Sequence, residues 1–158
     1  MKAKHIYWIL CAGVFAVGIL AAAASPWLTY TFNLTHSLPG TLYVIHKHSE
    51  VKKGDLIAYR WHGGATYPVG TIFIKQVAGV AGDTVRREGV AFWVDGQYIG
   101  IAKPFSKAGL PLQPAQEGVI AAGEYFVATV HPNSLDSRYA LTGNVKLAAI
   151  IGKAYAIF

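Results

Sequence analysis

The chain has 158 residues, which leaves room for one membrane anchor and one modest domain. Hydrophobic residues make up 53% of it and charged residues only 14%, which is an apolar composition for a soluble protein. The formal net charge is +6, but the basic residues are scattered. This argues against a nucleic-acid interface and favours a position near anionic lipid headgroups. A single cysteine, Cys11, excludes an internal disulfide and a cysteine-based metal site.

The N-terminal segment is predicted to cross a membrane. Residues 6–24 form an uncharged apolar run of about 19 residues, close to the roughly 20 that span a hydrocarbon core. Lys2 and Lys4 precede the run, so the positive-inside rule places residues 1–5 in the cytoplasm and residues 25–158 across the membrane. The alternative is a cleavable signal peptide that ends at the small residues before Pro26. The length of the run and the proline both argue against cleavage.

The rest of the chain is predicted to be mostly β. Apolar segments rich in β-branched residues alternate with glycine-containing turns, and Asp95-Gly96 predicts the turn of a hairpin. The predicted strands are residues 42–46, 56–61, 72–80, 92–94, 97–99, 124–130 and 145–151. Residues 103–118 hold prolines without a clear period and are predicted to form a surface loop. The expected fold is a coiled, mostly β domain that follows a transmembrane helix.

Two segments carry candidate chemistry, one with Ser37 in a predicted tight turn and one with Lys75 inside an apolar strand. A serine hydroxyl needs a base, and a lysine serves as that base only if its pKa falls from about 10.4 toward neutrality. Residues two apart in a strand share a face, so Phe73 and Val77 are expected to desolvate Lys75. The alternatives are an ordinary turn at Ser37 and an edge-strand lysine that reaches solvent.

Histidines offer rival sites. His36 is adjacent to Ser37 and could form a Ser-His-Asp triad with Asp136, but neighbouring residues in an extended turn point in opposite directions. His46 and His48 are predicted to share a strand face, where they could bind a metal. No third ligand is close in sequence, so we expect a surface pair and no metal site.

The order of motifs resembles that of the type I signal peptidases, also called leader peptidases. The matching segments are Ser37-Leu38-Pro39 and residues 54–59, 74–83, 94–96, 123–127 and 133–138. The resemblance covers nearly the whole chain after the predicted anchor. It implies a signal-peptidase-like β domain and a serine–lysine endopeptidase that forms an acyl-enzyme without a cofactor. It also implies a preprotein substrate and a single-pass protein of the bacterial inner membrane, with its catalytic domain in the periplasm.

The resemblance assigns roles to individual residues. Ser37 matches the nucleophile of the family and Lys75 its general base. Thr35 matches a hydroxyl that forms the oxyanion hole together with the Ser37 backbone N–H. Ser134 matches a residue that hydrogen-bonds and orients the lysine amine. A supporting polar pair near the site is matched by Asp136 and Arg138.

Departures from the usual motifs favour the short conjugal-transfer TraF-type peptidases. Leu38 stands where methionine is common, Gln76 where a basic residue follows the lysine, and Ala81 where a proline is usual. The large extra domain of the housekeeping enzymes is also missing. TraF-type enzymes process conjugative pilin precursors, and some cyclise them, so pilin and type IV secretion components are the implied partners. The alternatives are a general leader peptidase and a non-catalytic, membrane-tethered scaffold of pilus assembly.

Overall fold

A computed structural model describes residues 2–33, 37–64 and 67–157. The chain begins with helix α1, Lys2–Ala24, which contains the predicted span. The segment Lys4–Ala24 is long and apolar enough to cross a membrane, and none of its most apolar stretch is buried inside the protein. A helix that is apolar all round and covered by no other part of the protein suits a membrane anchor.

After α1, the described residues form two antiparallel sheets. The strands in chain order are β1 Leu28–Phe32, β2 Leu42–Lys47, β3 Leu56–Arg60, β4 Ile72–Gly79, β5 Thr84–Glu88, β6 Ala91–Val94, β7 Gln97–Ile101, β8 Gly118–Val119, β9 Glu124–Ala128, β10 Val145–Lys146 and β11 Ile150–Ala156. The larger sheet has the order β1-β2-β11-β3-β4-β9-β10, and the smaller has the order β7-β6-β5-β8. The prediction of a mostly β domain behind an apolar helix is therefore confirmed.

The predicted hairpin joins β6 to β7. Asp95 and Gly96 both have positive φ, at 49° and 77°, and this pair of conformations gives a turn whose twist matches that of the two strands. Across the hairpin, Trp93 lies opposite Tyr98, and the centres of their rings are 5.5 Å apart. The hairpin therefore forms as the Asp-Gly signal predicts.

The two sheets share one of the hydrophobic clusters of the protein, called here the shared core. Phe92 and Val94 of the smaller sheet are fully buried, and the Phe92 ring lies 6.2 Å from that of Phe126 in β9. Gly79 of β4 lies close to the smaller sheet, since a Cβ there would lie 2.7 Å from Val94 and 2.6 Å from Ile120, which follows β8. The smaller sheet thus packs against the end of β4 that is farther from Ser37.

Two local predictions are wrong in part. Residues 145–151 are not one strand, because a short 3₁₀ helix, Leu147–Ala149, carries the chain from β10 at the sheet edge to β11 between β2 and β3. Residues 103–118 are more than a surface loop, since Leu112 and Ala115 are buried in the shared core. Four further elements were not predicted: β1, β5, β8 and the second half of β11.

Candidate active site

Lys75 lies in the middle of β4 with its side chain turned into the protein. Only 6% of the residue is exposed, and Phe73 and Val77 flank it on the same face of the strand. Its Nζ lies 5.7 Å from the centre of the Phe73 ring. Ile57 of β3 is its cross-strand partner. The predicted apolar surroundings are confirmed, and the alternative of a lysine that reaches solvent is wrong.

The Lys75 amine contacts the Ser37 hydroxyl, with Nζ donating a hydrogen bond to Oγ over 3.3 Å. The turn that follows Ser37 is held from two sides. The Asn33 side-chain amide donates to the backbone carbonyls of Leu38 and Gly40, at 3.0 and 3.1 Å. The Tyr43 hydroxyl donates to the carbonyl of the intervening proline. The hydrogen-bonded turn thus holds Ser37 beside Lys75, which is 38 positions away in sequence.

Burial changes the acidity of this lysine. Desolvation lowers the pKa of Lys75 from 10.5 to about 8, while the nearby Asp136 carboxylate raises it and the Arg138 guanidinium lowers it. A shift of this size corresponds to about 3 kcal/mol of disfavoured charge. A substantial fraction of the amine is therefore neutral near physiological pH, as a general base requires.

Asp136 and Arg138 form a buried ion pair beside this lysine. Arg138 donates from Nε to one carboxylate oxygen of Asp136 and from Nη2 to the other, both over 2.8 Å. Asp136 is 0% exposed and Arg138 is 2% exposed. Arg138 also donates to the Ile101 carbonyl at 3.1 Å, and a Cβ at Gly100 would lie 2.7 Å from its Nη1. The predicted polar pair is therefore formed, and it ties the loop after β9 to β7.

Ser134 reaches the same region but does not make the expected contact. It is buried and lines the cleft beside Lys75, yet its hydroxyl has no hydrogen-bond partner in the described parts of the chain. The buried hydroxyls of Tyr59 and Thr129 also have none there. Tyr59 lies on the Lys75 face of the sheet, because its cross-strand partner is Phe73. Sequence reasoning missed Tyr59 and Thr129, since both resemble ordinary strand residues.

The other predicted site residues have different outcomes. Thr35 and His36 fall outside the described residues, so the oxyanion-hole role and the Ser-His-Asp alternative stay predictions. His48 follows the end of β2 with a positive φ of 58°, so it does not continue the strand face of His46 as predicted. His46 Nδ1 instead lies 2.6 Å from Ser49 Oγ. Over residues 2–33, 37–64 and 67–157, no three His, Cys, Asp or Glu side chains are grouped as a metal site would need.

A cleft of about 260 Å³ opens beside Ser37 and Lys75. Its further lining comes from the end of β1, the start of β4 and two loops: Thr31, Phe32, Asn33, Tyr67, Pro68, Thr71, Ile72, Phe73, Ile74, Asn133, Ser134 and Leu135. Pairing between β4 and β9 begins only at Gln76. The stretch Ile72–Ile74 is therefore paired with β3 on one side, and no described strand pairs with its other side. An extended peptide could add to that open edge.

Comparison with known proteins gives one family match. The family model described as signal peptidase, peptidase S26, matches residues 2–158, which include the apolar helix and both sheets. The crystal structure of a signal peptidase I from Enterococcus faecalis V583 is 22% identical, covering 66% of this chain and 97% of that one with a TM-score of 0.42. A search of curated proteins gave no significant match.

Proposed function

We propose that this chain, which belongs to the peptidase S26 family of signal peptidases, uses Ser37 as its nucleophile and Lys75 as its general base. Members of this family are serine endopeptidases, so the reaction is cleavage of a peptide bond. The observation that carries the assignment is the 3.3 Å contact between the Lys75 amine and the Ser37 hydroxyl. Burial supports it, because desolvation lowers the pKa of Lys75 to about 8.

The proposed reaction begins with the neutral Lys75 amine. It removes the hydroxyl proton of Ser37 while Oγ attacks the carbonyl carbon of the scissile bond. The tetrahedral intermediate collapses to an acyl-enzyme, and the proton passes from the Lys75 ammonium to the leaving amine. A water molecule, or a second amine, then attacks the ester, with Lys75 again accepting a proton. Water gives a free acid, whereas an amine of the same substrate gives a cyclic peptide.

The supporting residues act through Lys75 and the oxyanion. The family resemblance gives the oxyanion hole to the Thr35 hydroxyl and the Ser37 backbone N–H, which would stabilise the developing negative charge. Ser134 would orient the lysine amine, and its buried hydroxyl has a hydrogen bond to give. The Asp136–Arg138 pair acts on the Lys75 pKa in two opposed directions, and it braces the loop that carries Ser134.

The cleft fits an extended peptide with small or apolar side chains near the cut. One wall of the cleft is Ile72–Ile74 at the start of β4, and this stretch offers an open strand edge for backbone pairing. Such a peptide is expected in the preprotein of an exported protein. Within that class we propose a conjugative pilin precursor, because Leu38, Gln76 and Ala81 depart from the usual leader-peptidase motifs in the TraF-type manner.

We further propose that α1 holds the active site at the membrane surface. The aromatic side chains of Trp27, Tyr30 and Phe32 directly follow the helix and are exposed, as expected for groups in the headgroup region. Lys47 Nζ donates to the Ser25 carbonyl at 2.8 Å, which ties the end of the helix to β2. The proposed arrangement in a bacterial inner membrane is a cytoplasmic segment 1–5, a span 6–24 and a periplasmic domain 25–158.

The test is the intact mass of a cognate pilin precursor co-expressed with the wild-type chain or with Ser37→Ala. We expect a shortened product with wild type and unchanged precursor with the variant. A product whose mass is below that of the shortened linear chain by one water molecule indicates cyclisation. Cleavage of unrelated exported preproteins would favour the general leader peptidase instead.

Two outcomes contradict the proposal. If Ser37→Ala and Lys75→Met both process the precursor, these residues are not the catalytic pair. If neither wild type nor variants process any preprotein while all of them support pilus assembly, the scaffold alternative replaces the peptidase. Lys146→Met serves as the matched control, because Lys146 is an exposed lysine of β10 that lines neither the cleft nor its rim.

A further inference from the structure

A second cavity, called here the side cavity, adjoins the active-site cleft. It has a volume of about 130 Å³ and shares four lining residues with the cleft: Tyr67, Asn133, Ser134 and Leu135. The rest of its lining is the turn at residues 106–110 with the segment just before that turn, together with Leu112 and Tyr139. A peptide that lies in the cleft therefore passes close to the mouth of the side cavity.

The side cavity is basic. Lys103 and Lys107 both line it, and none of its described lining residues is acidic. All eight acidic residues of the chain are engaged elsewhere. Six are in ion pairs: Glu50, Asp55, Asp83, Glu88, Asp95 and Asp136. Two others, Glu117 and Glu124, accept hydrogen bonds from a backbone N–H and an asparagine amide.

Lys103 is held in place at the wall that the two spaces share. Its backbone N–H donates to the Tyr139 hydroxyl at 3.0 Å, and its Nζ donates to the Asn133 side-chain oxygen at 2.7 Å. Lys107 is exposed and lines the same cavity. A substrate carboxylate that reaches these ammonium groups would add charge attraction to its hydrogen bonds, which the uncharged amide oxygen of Asn133 does not offer Lys103.

We propose that the side cavity binds an acidic side chain of the peptide substrate and so selects substrates beyond the residues at the cut. This inference rests on the proposed peptidase function. The cavity admits one short side chain, with Leu112 and Tyr139 packing on its aliphatic part and Lys103 and Lys107 on its carboxylate. The cleft and the side cavity share walls, so the acidic residue lies close in sequence to the scissile bond.

The test measures peptide binding separately from cleavage. The full chain carrying Ser37→Ala, in detergent, is titrated with labelled peptides that have alanine at the first and third positions before the intended cut. A single aspartate is moved from four residues before the cut to four residues after it, and each peptide is compared with its asparagine counterpart. At one position we expect the aspartate peptide to bind about threefold to fivefold more tightly, with less difference in high salt.

Matched substitutions locate the effect. Adding Lys103→Met and Lys107→Met to Ser37→Ala should remove the preference for aspartate, whereas adding Lys146→Met should retain it. Lys107→Met alone should weaken it without disturbing the fold, since that side chain lines the cavity and is exposed. The inference is overturned if no aspartate position outperforms asparagine, if the preference survives the double substitution, or if none of the peptides binds. Peptides that bind Ser37→Ala with the expected preference but resist cleavage by wild type would instead contradict the proposed function.

Discussion

The middle of β4 and the loop that follows β9 each contain a buried basic side chain. The surroundings of the first disfavour its positive charge, whereas those of the second stabilise it. Lys75 is enclosed by apolar neighbours and has a hydroxyl as its partner, so burial lowers its pKa to about 8. Arg138 is enclosed just as fully but meets the Asp136 carboxylate through two hydrogen bonds of 2.8 Å. One cation is therefore able to lose its proton, and the other keeps its charge.

The difference separates a reactive group from a structural one. A buried lysine that forms no ion pair of its own costs the fold free energy at neutral pH, and that cost makes its amine available as a base. A buried arginine with a paired carboxylate offsets most of its desolvation and holds two segments together. The first three predictions that follow test whether these two basic groups differ in this way, and a fourth tests a buried hydroxyl on the Lys75 face of the larger sheet.

The largest expected effect is on activity. Lys75→Met should lower kcat/KM for a cleavable peptide at least about a thousandfold, because it removes the base and keeps an apolar side chain of similar length. The same variant should be more stable than wild type at pH 7 by up to about 3 kcal/mol, since it removes the cost of a buried charge. Urea unfolding in detergent measures the second effect. Activity within tenfold of wild type would contradict the assignment of the base.

The next effect is on stability at the ion pair. Arg138→Met should lower the free energy of unfolding by about 3–5 kcal/mol, because it leaves the Asp136 carboxylate buried without its partner. Removing both charges with Asp136→Asn and Arg138→Met should cost less than Arg138→Met alone. Urea unfolding of the single and the double variant beside Lys146→Met measures this. A loss below about 1 kcal/mol would show that the pair is not needed to hold the loop.

A smaller effect is expected on the pH dependence of catalysis. The Asp136 carboxylate raises the pKa of Lys75 and the Arg138 guanidinium lowers it. Asp136→Asn removes the first influence and retains the second, so the pKa of Lys75 should fall below its wild-type value. The rise of kcat/KM with pH should then move to lower pH. A shift to higher pH in this variant would contradict the electrostatic part of the comparison.

The smallest effect is expected at Tyr59. Its hydroxyl is buried and has no hydrogen-bond partner in the described parts of the chain, and the residue lies on the Lys75 face of the larger sheet. Tyr59→Phe should therefore leave the free energy of unfolding unchanged or raise it by about 1 kcal/mol. A loss of more than about 1 kcal/mol would show that the hydroxyl has a hydrogen-bond partner, such as a bound water. Thermal unfolding beside the exposed control Tyr155→Phe checks this.

Much of the fold could be predicted because the local signals agreed with the final structure. The strands around Ile57, Lys75 and Phe126 are apolar and β-branched or aromatic, and the Asp95-Gly96 turn specifies its hairpin. Strand β5 was missed because Arg86, Arg87 and Glu88 make it polar, while only Val85 faces the core. The break at Leu147–Ala149 was missed because no glycine or proline marks it.

The site could be predicted in part, since its residue types and motif order carry the family resemblance. The burial of Lys75 followed from the alternation of β4. The contact between Lys75 and Ser37 depends on how the larger sheet curls, and local patterns do not contain that information. The side cavity was missed for the same reason, because Lys103 meets Asn133 only in the folded chain.

The most direct test of the central claim is the pH dependence of kcat/KM for the wild-type chain with a cleavable peptide. A general base must be unprotonated to act, so activity should rise as Lys75 loses its proton. We expect a rise with a midpoint near pH 8, in line with the lowered pKa of Lys75. A midpoint near pH 10.5, or an activity that does not change between pH 6 and 10, would contradict a buried lysine base.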